Sequence, residues 1–293
     1  MKPFFSFVSR LPLHFYLGIL LNLFAWTSGW MHLGFWSPYV FFPLWFGFIL
    51  ALDGLNVARS GTSPLRRSVP RFVAMFAISA LLWWAFEGLN VPVQNWHYHM
   101  DHVYAPLEYI FWTTLDFSTV LPAVMEIAEL LASVALLRPR LAADDMGPRL
   151  TYRTAWVLVG VGVVALALPF IVPHYAFGLV WLCLIFLLDP INNLARRKSA
   201  VGHLLAGDWR FIVTLPLAAL VCGFFWEMWN SHMLPGWYYT VPFLNAEPKL
   251  LPLRLFEMPV LGYLGYLPFG IELFAMYQFV LLICGRRKDN LIF

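Results

Sequence analysis

Charge is scarce in this chain. Only 12% of its 293 residues are Asp, Glu, Lys or Arg, about half the share of a soluble domain. Together with 61% hydrophobic residues and a mean hydropathy of +0.71, that scarcity excludes an ordinary soluble fold and predicts a polytopic membrane protein. Cysteine is scarce too. Cys183, Cys222 and Cys284 all fall in apolar runs, with no Cys-x-x-Cys pair. That excludes a disulfide framework and leaves small apolar side chains. The sequence has no basic domain and no nucleic-acid motif, so no nucleic-acid partner is expected. Lys2 and Arg10 precede the first apolar run without a small-residue cleavage site. A retained first span is therefore expected, rather than a removed signal peptide.

What the chain does have is long apolar runs. A helical span needs about 20 apolar residues, and eight stretches qualify: Leu11–Trp30, Tyr39–Leu55, Phe72–Leu89, Leu115–Leu137, Ala155–Val172, Tyr175–Leu188, Phe211–Asn230 and Pro259–Cys284. Glu108–Thr114 either extends the fourth or lies in the interface. Of 19 Lys and Arg, all but Lys249 and Arg254 fall at the N-terminus or after spans two, four, six and eight. The positive-inside rule then puts both termini in the cytoplasm. The loops after spans three and seven face outward, and Trp96, Tyr98, Tyr104, Trp237, Tyr238 and Tyr239 crowd them, as interfacial aromatics do.

The chain is also duplicated. Tyr39, Phe41, Trp45, Asp53 and Asn56 match Tyr175, Phe177, Trp181, Asp189 and Asn192 at one constant offset. Glu87 and Asn90 match Glu227 and Asn230, Trp96 and Tyr98 match Trp237 and Tyr239, and Leu121, Pro122 and Glu126 match Leu267, Pro268 and Glu272. The offset grows only through the loops, which is the mark of a repeat with loop insertions. The expected fold is all-α and integral to the membrane: two parallel four-helix repeats, 1–146 and 147–293, in a multi-pass cytoplasmic (inner) membrane protein.

Carboxyl groups inside such spans cost several kcal/mol if they face lipid, roughly 2.5–3.5 on insertion scales. Glu87, Glu126, Glu227 and Glu272 must therefore face the bundle interior. Glu129 shares a face with Glu126, and Asp116 stands at the outer start of span four. Glu87 and Asn90, like Glu227 and Asn230, are three apart and share a helix face. Either they form a hydrogen-bonded lock between helices, or they carry chemistry. Trp83, Trp84, Phe86, Phe225, Trp226 and Trp229 surround the two helix-end acids, and aromatic faces stabilise cations. An acid that protonates a C=C bond, π faces that hold the cation and a second carboxyl that removes a proton make a carbocation site. Its substrate-binding set would be Asn90, Trp96, Tyr98, Trp226, Asn230, Trp237, Tyr239 and Glu257, with the four glutamates converging on a cavity lined by Trp and Phe. Pro122 and Pro268 are expected to kink their spans just before Glu126 and Glu272, and Gly262, Gly265 and Gly270 permit close helix approach. Asp53 and Asp189 read as turn-shaping residues. His97, His99 and His102, with Asp101, are a weak metal candidate that lacks a counterpart in the second half. His14, His32 and His174 read as structural. No cofactor is expected.

An acid at a helix end, then Trp-x-Tyr, then Pro followed by Glu in the next span, given twice, resembles the lycopene-cyclase-domain membrane proteins. The pattern spans under half the chain. It differs from that family in having Pro-x-x-x-Glu for Pro-x-Glu-Glu, and four spans per repeat where the family has about three. The resemblance implies a non-redox, acid-catalysed cyclisation or isomerisation of a lipid-soluble isoprenoid or carotenoid, with Glu87 and Glu227 as the helix-end acids and Glu126 and Glu272 as the post-proline acids. Two other readings remain open on sequence: a proton-coupled transporter using the intramembrane carboxyls, and a non-catalytic assembly or pigment-binding protein. The expected partners are a lipid-soluble small molecule and membrane lipids.

Overall fold

The apolar runs fold as helices whose ends are set by proline, glycine and hydroxyl residues. A computed structural model describes residues 10–141, 145–244 and 253–285. Lys2, Lys249, Arg286, Arg287 and Lys288, on which part of the orientation reading leans, lie outside the described residues. The first half runs α1 (Leu13–Trp30), α2 (Phe41–Ser60), α3 (Pro64–Arg67), α4 (Val69–Val93), β1 (Trp96–His99), α5 (Pro106–Phe117) and α6 (Val120–Ala132). The second runs α7 (Tyr152–Ile171), α8 (Pro173–Ala176), a 3-10 turn (Phe177–Trp181), α9 (Cys183–Leu194), α10 (Ala200–Leu205), α11 (Trp209–Asn230), β2 (Gly236–Tyr239), β3 (Arg254–Leu255), β4 (Met258–Pro259), a second 3-10 turn (Val260–Gly265) and α12 (Tyr266–Ile283).

Among the described residues, six stretches are long and apolar enough to cross a membrane: Phe41–Ser60, Val69–Val93, Tyr152–Ile171, Pro173–Leu194, Trp209–Asn230 and Val260–Ile283. The first and fourth sequence-derived spans fall outside this set. α1 is long enough, but His14, Asn22, Thr27 and Ser28 dilute its hydropathy. The fourth is split in two by Ser118 and Thr119, whose hydroxyls bond back to Leu115 O (2.6 Å) and Asp116 O (2.8 Å), in the way hydroxyl side chains compete with the helix ladder. The two prolines before Glu126 and Glu272 do not kink a helix interior. Pro122 and Pro268 each sit in the first turn of the helix that follows a break, α6 and α12, where a missing N–H costs nothing.

Corresponding helices pack alike. α1 lies on α2 as α7 lies on α9, and α6 and α12 each pack between the two preceding long helices of their half. Asn56 Nδ2 donates to Glu126 O at 3.0 Å, and Asn192 Nδ2 to Ala275 O at 2.8 Å. The asparagine contacts are similar but shifted, because Ala275 lies three residues beyond Glu272, the counterpart of Glu126. Asp53 accepts from Leu65 N, and Asp189 from Ala200 N and Val201 N; both fix the start of the short helix after the span, the turn-shaping role their position suggested. Between the halves α6 packs on α11, with Trp45 against Trp226 and Trp229 at ring-centroid distances of 5.2 and 4.9 Å.

The loops that follow α4 and α11 are ordered by a feature absent from the sequence reading. β1 and β2 pair antiparallel, Trp96 opposite Tyr239 and His99 opposite Gly236. The sheet joins the halves above the membrane-crossing helices.

Close approach of α1 and α2 depends on Gly18 and Gly47. A Cβ on Gly47 would stand 2.7 Å from both Gly18 O and Asn22 N, two backbone atoms that cannot yield. Gly47→Val should therefore lose about 1–3 kcal/mol of stability, read as a lower thermal midpoint in detergent. An unchanged midpoint would show that this helix pair is loosely held.

Candidate active site

Glu87 and Glu227 each stand near the C-terminal end of a long helix, α4 and α11, and each is held by aromatic donors. Trp83 Nε1, one turn back, donates to Glu87 Oε1 at 3.0 Å, Trp96 Nε1 at 3.0 Å and Tyr98 OH at 2.6 Å. Glu227 Oε1 accepts from Tyr239 OH at 2.5 Å and Tyr266 OH at 2.8 Å, while Trp237 Nε1 donates to the Tyr239 hydroxyl at 2.8 Å. Glu227 is fully buried.

The two constellations match through a compensated exchange. At the repeat offset, Trp83 corresponds to Gly223 and Tyr266 to Val120. A Cβ at Gly223 would run into the Tyr266 ring. The first half thus takes its extra donor from the same helix, and the second takes it from the next span, over a glycine.

Asn90 and Asn230 hold the strands in place. Asn90 Nδ2 donates to Trp96 O (2.8 Å) and its Oδ1 accepts from Asn95 N (2.7 Å). Asn230 Nδ2 donates to Trp237 O (2.7 Å) and Oδ1 accepts from Trp237 N (2.8 Å). These asparagines anchor each strand to its helix end and do not touch the cavity.

A cavity of about 400 Å3 lies beneath the sheet, lined from both halves. Trp96, Tyr98, Trp226, Trp237 and Tyr239 of the expected binding set line it, with Trp83, Trp112, Trp181, Phe269 and Tyr266 beside them. Its volume lies in the usual range for small-molecule sites. Leu264 and Met100 line it and are exposed, so it communicates with the surroundings. Burial first, then Glu87, pushes the Tyr98 phenol well above its ordinary range. Burial, Glu227 and Tyr266 do the same to Tyr239. Both stay neutral hydroxyls that can donate and accept.

The four glutamates do not converge. None of them lines the cavity. Glu87 and Glu227 stand behind its wall, linked to it through Tyr98, Tyr239 and Tyr266. Glu126 faces Asn56 Nδ2 at 2.7 Å, and Glu272 accepts from Leu184 N at 2.9 Å, at the start of α9. Glu257 sits in the β3–β4 turn, outside the lining. Among the described residues, the carboxyl that lines the cavity is Asp116, which takes a hydrogen bond from the Phe42 backbone in the first turn of α2. Its place at the outer start of a span was the one signal in the sequence.

The histidines of the loop after α4 are held by neighbours other than one another. His97 Nε2 meets Thr240 Oγ1 at 2.8 Å, His99 stacks on Tyr238, and His102 pairs with Asp101 at 2.6 Å. Burial opposes ionisation of Asp101, but bonds from His102 and Tyr104 outweigh it and hold its carboxyl below the ordinary range. His97 and His99 are two apart on β1 and share its face, where both stack on Tyr238, and His102 lies beyond the strand. Among the described residues, no three His, Cys, Asp or Glu are grouped to hold a metal ion. Compared with family models, with curated proteins and with solved structures, the chain matches none.

Proposed function

We propose that the protein is an integral-membrane enzyme that carries out a non-redox, acid-catalysed cyclisation or isomerisation of a lipid-soluble isoprenoid. The observation that carries this reading is the aromatic-walled cavity shared by the two halves, whose polar lining includes Asp116, Asn95, Thr113 and tyrosine hydroxyls, three of them backed by buried or half-buried glutamates. The hydroxyl hydrogens of Tyr239 and Tyr266 rotate, so a proton on Glu227 can be relayed through either into the cavity. It adds to a C=C bond of the substrate. The carbocation is held by the indole and phenol faces, the ring closes or the double bond shifts, and Asp116 takes a proton from the neighbouring carbon. The product is an isomer of the substrate. The exposed, apolar Leu264 in the wall suits entry from lipid. The residue pattern that resembles the lycopene-cyclase-domain proteins points to the same chemistry.

The accompanying architecture is eight spans, counting α1 and the α5–α6 pair. They form two parallel four-helix repeats, 1–146 and 147–293, with both termini cytoplasmic in the inner membrane. The matched helix packing and the matched aromatic donors to Glu87 and Glu227 support the repeat.

The test is the lipid extract of isoprenoid-producing cells that express the protein. A new compound of unchanged mass, formed by wild type and missing with Asp116→Asn at equal protein level, is expected. Extracts identical to the empty-vector control would sink the proposal. Co-purification of an unaltered isoprenoid would instead favour the pigment-binding reading.

A further inference from the structure

A second polar site lies deep in the first half, away from the cavity. About 18 Å of helix separates Asp53 from the cavity-lining Phe41 on α2. Asp53, Asn56 and Glu126 are all fully buried. Glu126 Oε2 accepts from Asn56 Nδ2 at 2.7 Å, and Asp53 Oδ2 from Leu65 N at 2.9 Å. The remaining oxygens, Asp53 Oδ1, Asn56 Oδ1 and Glu126 Oε1, are buried acceptors with no hydrogen-bond donor among the described residues. The Asp53 and Glu126 carboxyls stand within hydrogen-bonding reach of each other. His14 Nε2 lies 2.9 Å from Asp53 Oδ1, with its side chain 24% exposed; it is close enough to pair but not aligned to donate.

The second half shows what this arrangement is not. There Asp189 spends both oxygens on the amides of Ala200 and Val201, at 2.8 Å each, and Glu272 turns to Leu184 N. Its two carboxyls take backbone donors separately, although Glu272 Oε2 and Asn192 Oδ1 also lack a hydrogen-bond partner among the described residues. In the first half two carboxyls face each other instead, and two bare carboxylates in contact without water repel strongly; such pairs share one proton. The other charged groups nearby do not replace it. Glu129, one turn further on α6, is held by Arg67 of α3 through two bonds of 2.9 Å. Chains of Asp, Glu and His within a membrane are the usual means of moving protons.

We propose that His14, Asp53 and Glu126 form a proton-binding site, with one proton held between the two carboxyls and exchanged with the basic-loop side through His14. Its ligand is the proton, and the site is independent of the chemistry assigned to the cavity.

Infrared difference spectra of the purified full-length protein in H2O and D2O test it. A protonated-carboxyl band that shifts in D2O should vanish in Glu126→Gln, change frequency in Asp53→Asn and persist in Glu272→Gln. In His14→Phe the band should remain but exchange several-fold more slowly. Should the carboxyl variants fail to fold, exchange in wild type against His14→Phe still decides. Equal exchange rates in those two proteins would overturn the proposal. So would a band indifferent to Glu126→Gln and Asp53→Asn, or one abolished by added sodium, which would mark the site as a cation site.

Discussion

Extracts from cells carrying Glu227→Gln should contain no more than about a hundredth of the wild-type isomer, the usual scale for losing a general acid. The substituted amide would keep the shape and an oxygen for Tyr239 and Tyr266 but could not release a proton. Tyr239→Phe combined with Tyr266→Phe should fall as far, because the path from Glu227 to the cavity runs through those two hydroxyls. Glu272→Gln should leave product formation within a few-fold of wild type, since that carboxyl serves Leu184 N and does not line the cavity. This contrast matters more than the loss alone. A chain in which Glu272→Gln is dead and Glu227→Gln active would refute the relay. A chain in which only Asp116→Asn is dead would move both proton transfers onto Asp116.

Asn230→Ala should lose about 2–4 kcal/mol of stability, because it leaves both Trp237 N–H and Trp237 C=O without their partner in a largely water-free site. Asn90→Ala should cost a similar amount through Asn95 N and Trp96 O. Thermal unfolding in detergent, followed by tryptophan fluorescence, gives the measurement. Asn230→Asp keeps an acceptor for Trp237 N and loses the donor to Trp237 O, so its midpoint should fall between wild type and Asn230→Ala. The double alanine variant should also lose ligand binding, since β1 and β2 roof the cavity. Wild-type midpoints for both single variants would show that these asparagines do not anchor the strands.

Much of this site was legible because the chain states it twice. Matched spacing of Glu, Asn, Trp and Tyr in the two halves singled out the residues that turn out to hold each helix-end acid. Spacing fixes which residues share a face of one helix; it does not fix what that face meets. For that reason Glu126 and Glu272 were expected at the cavity, and instead they meet Asn56 and the start of α9. The β1–β2 pairing joins segments from opposite halves, and no local pattern specifies such a partner. The Gly223–Tyr266 fit was hidden for the opposite reason: it is an asymmetry, and a search for repeated residues passes over positions where one half exchanges bulk with the other. Asp116 lacked a carboxyl counterpart as well, and so drew less notice than the paired acids.

The sheet under which the cavity lies also limits how the molecule can move. Carriers built from repeats work by rocking one half against the other, so that a midplane site opens to each side in turn. Here one strand of each half is stitched to the other along four residue pairs. Thr240 adds a bond to Asn95 O at 3.0 Å, and Trp30 Nε1 ties across to Trp229 O at 3.1 Å. Parting the rim formed by the sheet would break all of these at once. A rim riveted in this way suits a fixed reaction chamber loaded sideways from lipid past Leu264, and it is ill suited to a gate that opens and shuts on every cycle.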